Sequence, residues 1–241
     1  MYLGFEIRCI PLCFPLHFLA MRRTSVLFGS VLMLLAACGG SVHVTYKLQF
    51  NTEDPGRKTL LSLAVTRVVE RRLENMGEKV KGLDITQGTD GPELSFSLDK
   101  QSAAEALQAD LLAPFTLRIM REAKKNETPT IAIEGQGGFI ETGITEGHLV
   151  WTDAAEEPGN KGRITLSFND DGRKRMAKVF KENVGKSIGL FVRNHLVAKL
   201  QVDTAELKDD IIISGIPSVD LAHVFADDVN VGLHVTFIPV P

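Results

Sequence analysis

Leu35-Ala36-Ala37-Cys38 limits what this chain can fold into more than any other stretch. It follows the basic segment Met21-Arg22-Arg23-Thr24-Ser25 and the apolar run from Val26 to Leu34. A short positive segment, an apolar run, two small residues and a cysteine describe a bacterial lipoprotein signal peptide. The small residues suit a peptidase pocket that excludes larger side chains, and the cysteine thiolate can take a diacylglyceryl thioether. Residues 21–37 are then the signal peptide, Cys38 carries lipid, and only the chain beyond Ala37 folds. The run is short of the roughly 20 apolar residues that a membrane-spanning helix needs.

Residues 1–20 precede a complete signal peptide that has its own methionine, and Pro11 and Pro15 break any helix there. They read as an over-extended start, with Met21 as initiator. Cys9 and Cys13 fall in that extension, so the exported protein keeps no free thiol and no disulfide. From Cys38 on, 204 residues hold 24 basic and 29 acidic side chains, a net charge of −5. A mildly acidic chain with dispersed basic residues is a poor nucleic-acid binder. Gly39, standing where an aspartate would retain the protein at the inner membrane, favours the outer membrane in a Gram-negative host.

The first half reads as β-α-β-β-α-β. Val42–Phe50 alternates apolar and polar residues, as a strand does. Over Lys58–Met76 a helix places Leu61, Val65, Val68, Val69, Leu73 and Met76 on one face, and Gly77 suits a left-handed stop. Val80–Gln87 and Glu93–Leu98 make a strand pair. Ser102-Ala103-Ala104-Glu105 has the capping-box pattern of a helix start, with the helix running to about Asp110. Phe115–Arg121 supplies a fourth strand. This order predicts a ferredoxin-like split βαβ base over residues 42–122, within an α+β chain.

Between Glu122 and Lys161 the periodicity dissolves, which marks a junction. A second α+β unit is expected over residues 123–229. Its elements are a strand at Arg163–Phe168, a helix capped by Asn169 and stopped by Gly185, and a hairpin turning at Arg193-Asn194-His195. Met176, Ala177, Phe180 and Val184 form that helix's expected buried stripe. Ile211–Ser214 adds a strand and Ser218–Asp227 a helix. Residues 230–241 hold a last strand, free to return to the base.

The second unit resembles the head of the first periplasmic region of the SecD protein-export family. The matching residues are Ile164–Gly172, then Glu182-Asn183-Val184-Gly185-Lys186-Ser187-Ile188-Gly189-Leu190, then Ile213-Ser214-Gly215. Phe139–Thr145 is similar to the segment by which SecD proteins enter that head, Val69–Leu73 to their base helix, and Phe115–Ile119 to the strand closing their base. The chain departs from the pattern at the hairpin turn, where Arg193-Asn194 replaces Asp-Gly, and just after it, where SecD proteins carry a proline and this chain reads Ala198-Lys199-Leu200. No transmembrane segment follows Pro241 as it does in SecD, so proton-driven pulling does not carry over. The resemblance implies the fold and a tendency to contact unfolded polypeptide.

Five residues are candidates for contact with a partner. Phe139 and Trp151 lie in the junction, where they either anchor a partner or complete a core. Asn183, Gly185 and Lys186 either form a functional loop or simply end a helix. Arg173, Lys174, Arg175, Lys178, Lys181 and Lys186 could steer an acidic partner, or form a solvated face. The histidines show no metal-ligand spacing, and no nucleophile elbow or phosphate loop occurs. No cofactor or metal is implied. The expected function is a non-catalytic envelope lipoprotein that binds translocating or unfolded polypeptide, as an export accessory or a holdase-like module. The alternative is a cell-wall enzyme with a dispersed site.

Overall fold

A computed structural model describes residues 41–206 and 210–240. Cys38, the signal peptide and the stretch before it lie outside those residues. The chain begins with β1 (Val42–Phe50), α1 (Pro55–Asn75), β2 (Lys81–Gly88), β3 (Gly91–Leu98) and α2 (Gln101–Leu112). Asp54 starts α1 three residues earlier than periodicity predicts: its carboxylate accepts from the N–H groups of Gly56 (2.7 Å) and Arg57 (3.1 Å), with Pro55 in the first turn. The capping box expected at Ser102 does not form. Helix α2 starts one residue earlier, its cap Lys100 makes no side-chain bond to the helix N-terminus, and Glu105 instead accepts from Gln101 within the helix.

The next elements are β4 (Leu117–Glu122), β5 (Ile131–Ile133), β6 (Gly137–Thr145), a 3-10 turn at Glu146–His148, β7 (Leu149–Glu157), β8 (Lys161–Phe168) and α3 (Asp170–Glu182). They are followed by β9 (Ser187–Val192), β10 (His195–Gln201), β11 (Ile211–Ile216), α4 (Val219–His234) and β12 (Val235–Pro239). The fold is α+β. Its strands form three antiparallel sheets, ordered β12-β1-β3-β2, β10-β9-β4-β6-β5 and β11-β8-β7.

The base sheet therefore has the expected split βαβ form with a different closing strand. Phe115–Arg121 does not supply it: β4 sits in the middle of the five-stranded sheet, between β9 and β6. The vacant edge beside β1 is filled by β12, with Leu48 opposite Phe237. Tyr46, Phe96 and Phe237 stack and edge against one another beneath α1 and α2, among the buried Val65, Val68, Val69 and Leu107. The opposite face of this sheet carries Thr45, Lys47, Gln49, Ser95 and Ser97, none of them buried.

The other two sheets enclose a second core with α3 and α4, built from Ile119, Ile144, Leu166, Phe168, Met176, Leu190 and Ile213. Asn169 caps α3 as expected, accepting from Gly172 N–H at 2.8 Å. The helix turns Gly172, Met176 and Val179 inward, whereas Ala177 and Val184 are exposed, so its stripe is offset from the expected one. Helix α4 runs past Asp227 to His234 and binds the two units together. A Cβ on Gly162 of β8 would lie 2.6 Å from the Ser218 carbonyl oxygen, so only glycine lets β8 and α4 approach this closely.

Candidate functional site

Sheet edges leave N–H and C=O groups unpaired, and folded proteins block them with proline, charge, bulges or covering elements. Three sheets give six edges among the described residues, on β12, β2, β10, β5, β11 and β7. On β12, Val240 N–H bonds to Thr45 O at 3.0 Å, so alternation aims the Pro239 nitrogen, which has no hydrogen, outward. On β2 a bulge between Lys81 and Asp84 puts Gly82 at φ 64° and a charge on each side. On β10 a bulge lies between Leu196 and Ala198, and Lys199 donates to Gln136 O at 2.8 Å, in the turn that follows the three-residue edge strand β5.

Helix α4 covers the edge of β7. Asn230 imitates a paired strand, accepting from Thr152 N–H at 2.9 Å and donating to Thr152 O at 2.7 Å. His234 Nε2 donates to Val150 O at 2.9 Å, and its ring stacks on Trp151. Burial pushes the His234 pKa below the usual imidazole value.

That leaves β11. Its inner edge pairs with β8, Ile211 opposite Leu166, Ile212 opposite Thr165 and Ile213 opposite Ile164. Its outer edge has no strand beside it among the described residues. Ile211 and Ile213 are buried, whereas Ile212 is 47% exposed on the outer face. The pairing shifts at Ser214-Gly215, where Gly215 takes φ 72° and donates to Glu157 at 2.9 Å, so the regular edge ends there. Among the described residues, Ile211–Ile213 is a three-residue edge with no proline, no charge and no strand beside it. Three consecutive isoleucines carried the signal in the sequence, since a half-buried strand normally places a polar residue at the middle position.

The five expected contact residues do not meet at one place. Phe139 is fully buried with Met120 and Phe191, its ring edge-on to Phe191 at 5.2 Å. Trp151 is 7% exposed, between His234 and the Arg57 guanidinium, which lies 4.9 Å from its ring. Neither ring presents apolar surface, because each fills a gap between elements. Asn183 is buried and donates to Val179 O at 2.7 Å. Gly185 takes φ 77° and donates to Val202 O at 2.8 Å, while Lys186 N–H returns to Asn183 O. These three end α3 and lead into β9. Along α3, Arg173 pairs with Asp170, Arg175 with Asp171 and Lys178 with Glu182, so half of the basic face is already neutralised.

Sequence reasoning did not find a cluster of charges where α1, α2, α4 and the β9–β10 turn meet. Arg67 grips Asp227 with two 2.7 Å bonds, and Arg71 reaches Asp227 and Asp228. Arg72 and Arg193 share Asp110. Burial raises the Asp228 pKa against the pull of Arg71, and lowers that of Arg72. The cluster is a clamp rather than a site, since every acid in it is already engaged by arginine.

Thr145, His148 and Asp171 lie in hydrogen-bonding sequence, as a nucleophile, base and acid would. Here His148 Nδ1 receives the Thr145 backbone N–H at 3.1 Å and Nε2 lies 3.2 Å from Asp171. The single Nδ1 lone pair serves as the acceptor of a capping box and is not free to take a proton from the hydroxyl. No cluster of His, Cys, Asp and Glu among the described residues could hold a metal. None of the described helices is long and apolar enough to cross a membrane.

Solved structures of SecDF are similar to this fold. One, of a membrane component SecDF that enhances protein export, is 17% identical at TM-score 0.43, over 83% of this chain and 98% of that one. SecDF in a super-membrane-facing form is 18% identical at TM-score 0.43. SecDF, a translocon-associated membrane protein from Thermus thermophilus, is 17% identical at TM-score 0.49. The chain spans 30% of the length of each of the latter two. No family model matches the chain. No curated protein matches it either.

Proposed function

We propose that this is a non-catalytic lipoprotein of the bacterial envelope, facing the periplasm or cell exterior, that binds extended polypeptide by strand addition along β11. The edge at Ile211–Ile213 supports this reading: these three residues include no proline and no charge, and no strand lies beside them among the described residues. Strand addition draws affinity from main-chain hydrogen bonds, so it tolerates many sequences, as a binder of unfolded chains must. A three-residue edge beside one exposed isoleucine makes few contacts, and the partner loses conformational entropy. Affinity is therefore on the order of micromolar or weaker. Lipid on Cys38 would hold the edge beside chains emerging from a membrane. That setting, together with the motif resemblance to SecD, supports an export accessory or holdase-like role.

Aggregation of a denatured model protein tests the reading. The chain from Gly39 on is expected to slow aggregation without cofactor, and Ile212→Lys to lose most of that effect at an unchanged unfolding midpoint. Equal suppression by Ile212→Lys, or none by the unsubstituted chain, would overturn it.

A further inference from the structure

The base has two unlike ends. At one, β1 begins at Val42 opposite Leu98, and Lys81 lies opposite Ser97. Helix α1 starts beyond the far end of β1 and its 21 residues run back, about 30 Å, to Met76 at this same end. Val240, bonded to Thr45 O, closes it on the other side. The rim so formed exposes Met76 and Val240 among Lys79, Lys81 and Lys100. Two carboxylates accompany these lysines: Lys100 meets Glu78, and Lys81 meets Asp99 at 2.6 Å. Lys79 pairs with no carboxylate among the described residues and keeps its charge for solvent or an anionic surface.

Only Gly39, Gly40 and Ser41 separate Cys38 from Val42. Fully extended, that link spans at most about 14 Å. Strand β1 is about 27 Å long, so its far end at Phe50 stands well beyond the tether's reach whenever the strand is upright. We infer that the rim of Met76, Lys79, Lys81, Lys100 and Val240 rests on the bilayer surface, its lysines among phospholipid headgroups and its two apolar side chains turned toward the lipid. This inference rests on lipidation of Cys38. Short aliphatic side chains beside lysines suit an interface where the charge stays wet and the stem lies on apolar material. The far end of the base, at Gln49 and Phe50, then points away from the membrane.

The test uses the lipidated full-length protein, purified from cells fed a palmitate analogue, in vesicles of phosphatidylethanolamine and phosphatidylglycerol carrying nitroxide-labelled headgroups. A bimane fluorophore is placed on Lys79→Cys or on Gln49→Cys. Quenching is expected to be several-fold stronger at position 79 than at 49, and to fall when a long Gly-Ser linker is inserted after Gly40. Equal quenching at both positions, or at neither, with the palmitate label present would overturn the orientation and leave the anchor standing. Absence of the palmitate label would overturn the anchor and the orientation with it.

Discussion

Replacing Phe191 with alanine is expected to lower the unfolding free energy by about 3–5 kcal/mol, the usual loss for a buried phenylalanine. Phe191 is fully buried on the face of the five-stranded sheet away from the main core, where Met120 and Phe139 are its only fully buried companions among the described residues. Its ring and that of Phe139 lean over Gly189, where a Cβ would come within 2.9 Å of both. With so few neighbours the cluster cannot collapse into the space left behind, so the cavity penalty is not relieved. Urea denaturation of the chain from Gly39 on measures it, with Phe191→Leu as a milder variant that keeps most of the volume. A loss under about 1 kcal/mol for the alanine variant would mean that the pair is not a core, and that Phe139 is open to a partner after all.

Asp227→Ala is expected to cost about 2 kcal/mol. Removing one member of a fully buried ion pair costs about 3–5 kcal/mol, because the remaining charge is stranded. Asp227 is 6% exposed, but the Arg67 side chain keeps about half of its exposure and can be rehydrated, which trims the loss. A double-mutant cycle with Arg67→Ala separates the pair from packing. If Arg67→Ala and Asp227→Ala add without coupling, the two-bond grip between α1 and α4 contributes nothing to the fold.

The elements with strict periodicity were legible from sequence: β1, the buried face of α1 from Leu61 to Leu73, β8, the Asn169 cap and the β9–β10 hairpin. That hairpin turns on Arg193 and Asn194 with φ 47° and 67°, a conformation asparagine tolerates and two-residue hairpins require. Three strands inside residues 123–161 were not legible. Gly137 and Gly143 take positive φ, and pairing slips between Ile119 and Met120 and between Leu149 and Trp151, which destroys the two-residue alternation. The last turns of α4 were hidden for a different reason. Asp227 and Asn230 read as the end of a helix, yet both point inward, one to Arg67 and the other to the Thr152 backbone. Buried polar residues with long-range partners mimic a solvent face. The swap of β12 for β4 in the base sheet depends on chain closure, which no local pattern records. Of the open edge, the strand was readable and its lack of a neighbour was not.

Photo-crosslinking from Ile212 in living cells tests polypeptide binding at β11 most directly. A benzophenone amino acid replaces Ile212 in one strain and Thr86, exposed on the bulged edge of β2, in another. Strand addition at β11 predicts that position 212 captures many exported polypeptides and that position 86 captures almost none. Equal capture at both positions, no capture at 212, or capture there of only a second copy of this chain would contradict it.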